Sequence, residues 1–397
     1  MNNQDNIQNK RDDLLSFFSG KTILVTGHKG FKGTWLTRIL LTSGAKVIGY
    51  SLPAPTHPNL YSLAGFEKYE ADGNYINVVG DIRDLDKLKQ TFLTYKPQIV
   101  IHLAAQPIVR DSYKDPVYTY ETNVMGTVNV LECIRLTDSV RSAVMITTDK
   151  VYKNNEWIWG YREDEPLDGF DPYSNSKSCA ELAAHSYKNS FFNAMDGKEG
   201  RRYLAISTAR AGNVIGGGDF ANDRIIPDCV RAMEKAVKEG TDKGIIEVRN
   251  PYSTRPYQHV LEPLAMYLTI AKAQWDDLTK ASYYNVGPDD EDCVTTGELV
   301  TLFCDKWNED SESNDILSSK ENHFPEATWI NKAERNAPHE ANFLKLDSTK
   351  IKVMLGYHPR WHINECMEKT VEFSKAYIKE PEKLPEVMDK EIKEFFV

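Results

Sequence analysis

The chain has 397 residues, of which 41% are hydrophobic and 11% aromatic, and its formal net charge at pH 7 is -10. This composition predicts a packed globular protein and argues against a disordered chain, and the negative charge disfavours non-specific binding to nucleic acid. Because this length exceeds what one hydrophobic core usually serves, we expect two lobes.

The N-terminal segment, residues 1–19, is polar and lacks the basic, apolar and small-residue regions of a secretory signal. No apolar run along the chain approaches the roughly 20 residues that a membrane helix requires. We therefore expect a cytoplasmic protein that does not associate with a membrane. The six cysteines form no CxxC pair and no histidine stands at metal-ligand spacing, so neither a disulfide framework nor a metal site is predicted.

Apolar strands alternate with helical patterns from residue 20 to residue 210. The first unit consists of the strand KTILVTG, a glycine turn, the helix FKGTWLTRILLTSG and the strand KVIGYSL. Further apolar strands are predicted at 75–79, 99–103, 144–148 and 204–208. Continuous apolar strands joined by helices indicate that residues 20–210 form a doubly wound parallel sheet, the Rossmann arrangement of an α/β protein.

The pattern becomes less regular in residues 211–397. Short strands such as 245–248 and 283–286 alternate there with helices, and a polar, charge-rich stretch lies between Trp307 and Lys345. We interpret that stretch as surface loops around short elements, because aromatic residues remain interspersed. Residues 211–397 are expected to form mainly a smaller α/β substrate-binding lobe, with some segments returning to the first domain.

Three glycines, Gly27, Gly30 and Gly33, stand where the first strand ends and the first helix begins. Such glycines let a tight turn bring backbone N–H groups against a pyrophosphate at a helix N-terminus, whose dipole favours the anion. A glycine turn after a strand can also be purely structural, but its place in the first βαβ unit favours a dinucleotide site. Phe31 and Lys32 in the same turn are assigned to that site.

The second strand ends in Ser51, where an acidic residue usually holds the adenosine ribose, so NAD is expected while NADP stays open. Asp81, followed by Ile82 after the third strand, could accept a hydrogen bond from an adenine amino group or could simply cap a turn. Small side chains end the fourth strand, where they would let a cofactor approach the backbone or merely pack. The other residues assigned to cofactor binding are Leu103, Ala104, Ala105, Asn123 and Thr147.

Tyr173 and Lys177 stand four residues apart in DPYSNSK, so their side chains project from one face of a helix. Asp171 as N-cap and Pro172 at the first helical position predict where that helix begins. A nearby ammonium group and the positive helix end should favour the phenolate, so that Tyr173 acts as a base toward a hydroxyl group. An isolated YxxxK pair is usually a surface feature, and the surrounding sheet pattern reverses that expectation.

The strand at 144–148 ends in Thr148, and Asp149 and Lys150 follow it directly. Open α/β sheets build their sites at the carboxyl ends of their strands, so this hydroxyl, carboxyl and amine are candidate catalytic groups. Three polar residues after a strand can also be an ordinary turn.

These motifs resemble the extended short-chain dehydrogenase/reductases from about Lys21 to Tyr377, and among them the nucleotide-sugar 4,6-dehydratases of the CDP-glucose branch. The segments that carry the resemblance are GHKGFKGTWL, HLAAQPIVR, TNVMGTVNVLE, TTDKVYKNNEWIWGYREDEP, DPYSNSKSCAELAAHSYKNSFF, RAGNVIGGGD, RPYQHVLEPL and LGYHPRW. The resemblance implies one tightly held NAD and three stages on CDP-glucose: oxidation at C4, loss of water across C5 and C6, and return of the hydride to C6.

The same resemblance implies roles for single residues. Tyr173 would take the C4 hydroxyl proton, Thr148 would orient that hydroxyl, Asp149 in its protonated form would donate to the departing C6 hydroxyl, and Lys177 would hold the nicotinamide ribose. Lys150 replaces the glutamate of the related dTDP-glucose and GDP-mannose dehydratases, which leaves the C5 base open. The implied substrate contacts are Gln106 at the sugar and Asn213, Arg224 and Arg255 at the pyrophosphate.

Two further consequences concern assembly and rival functions. Helices at 118–135 and 176–190 could form the dimer interface of the superfamily, so we expect a homodimer or homotetramer. A nucleotide-sugar 4-epimerase would share the glycine turn and the Tyr/Lys pair but would need no acid for C6, and a dehydratase for dTDP-glucose or GDP-mannose is a further alternative. A non-enzymatic dinucleotide sensor would commonly lack the tyrosine or the lysine.

Overall fold

The computed structural model describes residues 14–192, 203–309, 324–333 and 343–396. Its strands are β1 (Thr22–Thr26), β2 (Lys46–Ser51), β3 (Tyr75–Val79), β4 (Ile99–His102), β5 (Ser142–Thr148), β6 (Ala205–Ala211), β7 (Asn213–Ile215), β8 (Lys243–Val248), β9 (Thr254–His259), β10 (Tyr283–Val286), β11 (Cys293–Thr295) and β12 (Glu326–Asn331). Its α-helices are α1 (Phe31–Thr42), α2 (Leu60–Leu63), α3 (Glu67–Ala71), α4 (Leu85–Tyr95), α5 (Val109–Lys114), α6 (Pro116–Tyr120), α7 (Gly126–Leu136), α8 (Pro172–Phe191), α9 (Ile225–Glu239), α10 (Leu261–Asp276), α11 (Thr296–Asn308), α12 (Thr349–Leu355), α13 (Ile363–Lys379) and α14 (Leu384–Phe396). A π-helical turn at Glu121–Met125 connects α6 to α7.

Seven parallel strands form the large sheet, in the order β10-β6-β5-β4-β1-β2-β3. Successive residues of β5 face opposite sides, as its pleat requires. Val144 packs in one core cluster with Leu264 of α10, whereas Met145 packs in a second cluster with Ala184 of α8. Helices therefore cover both faces, and the predicted doubly wound parallel sheet is confirmed.

The second half of the chain contributes to the large sheet and also builds two small ones. β10 lies at the edge of the large sheet beside β6, at the predicted positions 283–286. The small sheets have the orders β11-β9-β7 and β12-β8. Of the predicted loop stretch between Trp307 and Lys345, residues 310–323 and 334–342 lie outside the described residues.

The N-terminal segment is described only from residue 14 onward. Residues 14–18 are helical, and Leu14 and Phe18 are buried in the larger core cluster. This end of the segment therefore packs on the domain that follows it. Within the described ranges, no helix is long and apolar enough to cross a membrane.

The order of the large sheet determines where a site can form. β1 lies between β2 and β4, so the chain crosses from one side of the sheet to the other at this point. Such a crossing leaves a crevice at the carboxyl ends of the strands, because the connections on its two sides run in opposite directions. The glycine turn and the Thr148 turn both open onto this edge.

Candidate active site

The glycine turn forms a tightly packed cradle between the ends of β1 and β4. Gly27 has φ +74°, and a Cβ on it would lie 2.8 Å from the Ala104 nitrogen. A Cβ on Gly33 would lie 2.1 Å from the Gly27 carbonyl oxygen, so neither position accepts a side chain. Gly30 is the N-cap of α1 and Phe31 its first residue, and the first turn carries no acidic side chain. The cradle fits a pyrophosphate, which backbone N–H groups and the helix dipole attract.

The small residues at the end of β4 border this cradle. Leu103, Ala104 and Ala105 follow the strand directly, and the Ala104 nitrogen donates to the Thr26 hydroxyl at 3.2 Å. The side of the cradle opposite α1 is therefore backbone with short side chains, as a closely approaching cofactor requires.

The residues predicted to hold adenosine lie at the ends of β2 and β3. The Ser51 hydroxyl donates to the Leu52 carbonyl at 2.8 Å. The Asp81 carboxylate accepts from the Arg83 guanidinium, with Nη2 at 2.7 Å, and these hydrogen bonds lower the pKa of Asp81. Ile82 is buried next to them. Contacts of Ser51 and Asp81 with adenosine stay predictions.

Gln106 and Asn123 bind each other. The Gln106 nitrogen donates to Asn123 Oδ1 at 2.8 Å, and Asn123 Nδ2 donates to the Ser176 hydroxyl at 2.9 Å. The Gln106 side chain donates to the Thr119 hydroxyl at 2.9 Å and accepts from the Ile108 nitrogen at 2.5 Å. Both residues fasten the loop after β4 to neighbouring helices, and their predicted ligand contacts stay predictions.

Helix α8 begins where the sequence predicts. Asp171 is its N-cap, and the carboxylate accepts from the Ser174 nitrogen at 3.0 Å, while Pro172 is the first helical residue. Tyr173 therefore lies in the first turn and Lys177 one turn later on the same face. The Lys177 amine donates to the Ile146 carbonyl at 3.3 Å, which fixes it against β5.

Strand β5 brings three predicted catalytic groups to the same place. Thr148 ends the strand, and Asp149 and Lys150 begin the short helical turn that follows. The Thr148 hydroxyl donates to Asp149 Oδ1 at 2.8 Å, and the interaction of Thr148 with the Tyr173 phenol acts to lower the pKa of that phenol. A line of three oxygen-bearing side chains thus runs from Tyr173 through Thr148 to Asp149.

Burial favours the protonated form of the Asp149 carboxyl. Burial raises its pKa above the ordinary aspartate value, while Lys150, Thr148 and Arg255 oppose this shift. Its Oδ2 has no hydrogen-bond partner among the residues that the structure describes. A buried carboxyl with an unused oxygen can give a proton to a ligand.

The expected direction of the Tyr173 pKa shift is wrong. Burial raises the pKa of Tyr173 to about 12, and ionisation of Asp149 would add to this, while Thr148 and Arg224 act in the opposite direction. The prediction considered the nearby positive charges but not the burial of the phenol, which disfavours the charged phenolate. Burial also lowers the pKa of Lys177 to about 8, with a contribution from Lys32.

Lys32 and Arg224 add positive charge to the cleft. Burial and the nearby Arg224 lower the pKa of Lys32 to about 8, against the charges of Asp149 and Asp219. Arg224 also acts on Tyr173, and its Nη1 donates to Asp219 Oδ2 at 3.0 Å. The structure therefore brings Arg224 toward the catalytic residues, where its charge suits a phosphate.

The other two predicted pyrophosphate contacts lie in the β11-β9-β7 sheet. Asn213 on β7 is in register with Tyr257 on β9, and Arg255 precedes that residue by two positions. Arg255 is buried, and its charge is felt by Asp149. This small sheet thus lies next to Asp149 at the cleft.

Three residues near the catalytic groups escaped the sequence analysis. A Cβ on Gly212 would lie 3.4 Å from Asp149 Oδ2. Burial, with a contribution from Tyr173, raises the pKa of Tyr267 on α10, and its buried hydroxyl has no partner among the described residues. Glu181 accepts a hydrogen bond from Thr147 at 2.5 Å, which turns the Thr147 side chain beneath the cleft. Of the three, only Glu181 could have been found from the sequence. It stands four residues after Lys177 and therefore falls on the same, buried face of α8.

We name Lys32, Thr148, Asp149, Tyr173 and Lys177 the cleft cluster. A phenol, a hydroxyl, a carboxyl with a raised pKa and two amines there can move protons to and from a hydroxylated ligand beside a dinucleotide cradle. Nothing in the described part of the chain groups histidine, cysteine, aspartate and glutamate as a metal site would. Burial lowers the pKa of His28 to about 4 and of His102 to about 3, so both are neutral packing residues.

Comparison with known proteins places this geometry in context. A family model described as GDP-mannose 4,6 dehydratase matches residues 24–370. The CDP-glucose 4,6-dehydratase of Salmonella typhimurium is 44% identical over 365 residues, which cover 92% of this chain and 93% of that protein.

Solved structures share the fold. An epimerase from Methanothermobacter thermautotrophicus has a TM-score of 0.72 at 20% identity, covering 94% of this chain and 97% of its own. The dTDP-glucose 4,6-dehydratase from Bacillus anthracis, solved in complex with NAD, has a TM-score of 0.66 at 21% identity, covering 93% and 100%. At these identities the likeness concerns the fold alone.

Proposed function

We propose that this chain, which belongs to the GDP-mannose 4,6-dehydratase family, is an NAD-dependent CDP-glucose 4,6-dehydratase. It converts CDP-glucose to CDP-4-keto-6-deoxyglucose by oxidation at C4, loss of water across C5 and C6, and return of the hydride to C6. The observation that carries the proposal is the buried Asp149 carboxyl, linked through Thr148 to the Tyr173 phenol. A sugar hydroxyl leaves readily only when an acid protonates it. The activity named for the 44% identical relative supports the same reaction and nucleotide.

The glycine cradle and the ends of β2 to β5 would hold the cofactor. NAD, when bound there, supplies a hydride acceptor and a positive charge close to Tyr173. Tyr173 takes the C4 hydroxyl proton while Thr148 orients that hydroxyl. Because the pKa of Tyr173 is about 12, its role as a base requires nearby positive charge, which the Lys177 ammonium provides from the nicotinamide ribose.

Water loss then depends on Asp149, at the opposite end from Tyr173 of the three oxygen-bearing side chains. The C4 carbonyl makes the C5 proton acidic, and Asp149 protonates the C6 hydroxyl as it departs. Lys150, next to Asp149, serves the C5 step, either by taking that proton or by stabilising the enolate while a different group takes the proton. C5 regains a proton as the hydride returns to C6. Tyr173 then releases the proton it took from the C4 hydroxyl and Asp149 takes one up from solvent, so both groups are ready for the next substrate.

The nucleotide pyrophosphate is held across the cleft from the cradle. Arg224 and Arg255 offer guanidinium groups, which pair well with phosphate oxygens, and Asn213 offers an amide. Local cations thus bind a dianion in a chain whose overall charge is -10. The cytidine preference rests on the named activity of the Salmonella relative.

The test is to incubate the purified protein with CDP-, dTDP-, UDP- and GDP-hexoses in deuterated water. We expect CDP-glucose to yield a 4-keto-6-deoxy product, lighter by one water and carrying deuterium at C5, because the C5 proton exchanges during elimination. An isobaric product would identify an epimerase, and bound NAD without turnover of any nucleotide hexose would indicate a sensor. Unlabelled or undehydrated sugar contradicts the proposal.

The proposal extends to the oligomeric state, the division of the chain into two lobes and the cellular location. We propose a cytoplasmic homodimer or homotetramer that pairs through 118–135 and 176–190, with residues 20–210 holding NAD and 211–397 mainly the substrate. Apolar side chains on the outer surface of this helical region support the pairing. They are Met125, Leu136, Leu182 and Phe191, of which Leu182 has an exposed fraction of 54%.

A further inference from the structure

A buried ion pair lies directly beneath the cleft cluster, between α8 and the ends of β5 and β6. The side chains of Glu181 and Arg210 are fully buried, and Arg210 Nη2 lies 2.8 Å from Glu181 Oε2. Glu181 also accepts hydrogen bonds from the hydroxyls of Thr147 at 2.5 Å and Thr208 at 2.8 Å. Arg210 Nη1 donates to the Tyr152 hydroxyl at 2.8 Å. Neither charge can be explained as a solvated surface group.

The pair joins the two elements that carry the catalytic residues. Thr147 and Arg210 are register partners on β5 and β6, and Thr147 immediately precedes Thr148. Glu181 stands four residues after Lys177, so it lies one turn below Lys177 on the same face of α8. A buried ion pair seldom adds stability over an apolar replacement, which makes a positional role a sound explanation for its presence.

Glu181 is also the negative group that faces Lys177. Lys32 of α1 presents a like charge to Lys177, while His102 of β4 is neutral. Burial and Lys32 lower the pKa of Lys177 to about 8, and Glu181 opposes that shift. Burial alone would raise the pKa of Glu181, but Arg210 and the hydrogen bonds to its oxygens lower it to about 2, so it stays charged. The other titratable groups around the two residues are Arg210 of β6, Tyr173 and His185 of α8, and Tyr283 of β10.

We propose that Glu181 is a positioning residue for the C4 oxidation, which rests on the proposed function. Its carboxylate holds Thr147, and with it the Thr148–Asp149 turn, in place against α8. Its charge keeps the Lys177 ammonium protonated at the nicotinamide ribose. Glu181 acts through Thr147 and Lys177 and contacts neither substrate nor cofactor.

The test compares pH profiles of the C4 oxidation in Glu181→Gln and the wild type. Glutamine keeps the size of the side chain but removes its charge, so Lys177 loses its proton at lower pH. We expect the alkaline limb of the profile to move down by about one pH unit, with the rate partly recovered in acid. Thr147→Val, which removes the hydroxyl alone, should lower the rate without moving the limb. An unmoved limb in Glu181→Gln overturns the proposal.

A matched control is Glu262→Gln, because Glu262 is an equally buried carboxyl group on α10 whose hydrogen-bond partners are Tyr357, Arg360 and Trp361 and not groups of the cleft cluster. The alkaline limb of the pH profile of Glu262→Gln should stay at the wild-type pH. A shift in this variant equal to that in Glu181→Gln would overturn the proposal. If Glu181→Gln fails to fold, Glu181→Asp decides, since it keeps the charge but shortens the reach to Thr147. A lower rate with an unmoved limb supports the proposal, and a wild-type rate overturns it.

Binding of NADH separates this proposal from the proposed function. The pH dependence of NADH affinity reports the charge of Lys177 without any substrate, so the same shift is expected in Glu181→Gln. If the wild type binds NADH but turns over no nucleotide hexose, the proposed function fails while the role of Glu181 toward Lys177 is still tested. Turnover of CDP-glucose with unshifted affinity and rate profiles overturns the role of Glu181 alone.

Discussion

Asp149 in the cleft cluster and Glu262 on α10 are both buried carboxyl groups whose pKa burial raises, but they differ in how their oxygens are used. Glu262 accepts from the Tyr357 hydroxyl at 2.7 Å and from the backbone nitrogens of Arg360 at 2.7 Å and Trp361 at 2.8 Å. Asp149 has an Oδ2 with no partner among the described residues. A carboxyl whose oxygens are all engaged holds segments together, whereas one with an unused oxygen has bonding capacity for a ligand.

The region around Asp149 therefore has a chemical role, and the region around Glu262 has a structural one. We call Glu262, Tyr357, Arg360 and Trp361 the anchor, because they tie α10 to the loop that precedes α13. The anchor accounts for the separate motifs RPYQHVLEPL and LGYHPRW, which meet at this carboxylate. Changes in the cleft cluster should alter chemistry with little effect on stability, and changes in the anchor should do the reverse.

The largest expected effect is on chemistry, in Tyr173→Phe. Removing the phenol oxygen removes the base for the C4 hydroxyl, so we expect the C4 oxidation to slow by about 10³-fold. The appearance of reduced-nicotinamide absorbance in a single turnover measures this step. Thermal unfolding should stay at the wild-type midpoint, and a large loss of stability would place Tyr173 with the anchor instead.

Glu262→Ala tests the other half of the comparison. The substitution leaves the Tyr357 hydroxyl and two backbone N–H groups without their acceptor, so we expect the free energy of unfolding to fall by about 3 kcal/mol. Urea titration measures that loss. At low temperature the folded protein should keep its rate within about twofold, because Glu262 touches no group of the cleft cluster. A selective loss of activity with normal stability would contradict the role of the anchor.

The sequence predicted the parts of this comparison that depend on local pattern. The apolar strands, the glycine turn and the start of α8 at Pro172 follow from periodicity and capping, and they are confirmed. The family resemblance, drawn from the motifs around Tyr173 and Arg255, is confirmed by the model that matches 24–370. Each of these signals lies within a short stretch of chain, where side chains and backbone obey the same local rules.

The rest depends on contacts between distant residues. The raised pKa of Tyr173 comes from burial and from the nearby Asp149, which no local pattern reports. Arg210 and Glu181 are 29 positions apart, and only the packing of α8 on β6 joins them. In the sequence Glu262 looks like an ordinary helix residue. Its hydrogen-bond partners Tyr357 and Trp361 stand 95 or more positions later in the chain. Charge and burial at a site are tertiary properties, so they appear only once the fold is assembled.

Asp149→Asn should have the smallest effect on the C4 oxidation. It also separates most sharply the groups of the cleft cluster that serve oxidation from the group that serves water loss. Asparagine keeps the size and the Thr148 contact but cannot donate an acidic proton, so C4 oxidation should persist while water loss slows by about 10²-fold. Reduced nicotinamide should then accumulate during turnover, which absorbance measures. Equal loss of both steps would contradict the assignment of Asp149 to the C6 hydroxyl.

The same variant should be slightly more stable, by up to about 1 kcal/mol at neutral pH. Burial raises the pKa of Asp149 in the folded state, so above the ordinary aspartate pKa the folded state binds more proton at this carboxyl than the unfolded state does. Stability therefore falls as pH rises from there through the raised pKa, and asparagine is free of this loss. Urea titrations at acidic and neutral pH should show the two proteins converging in acid, because aspartate is then protonated in both states. A difference that grows toward acid would mean that Asp149 is charged in the fold, and the comparison with Glu262 would lose its basis.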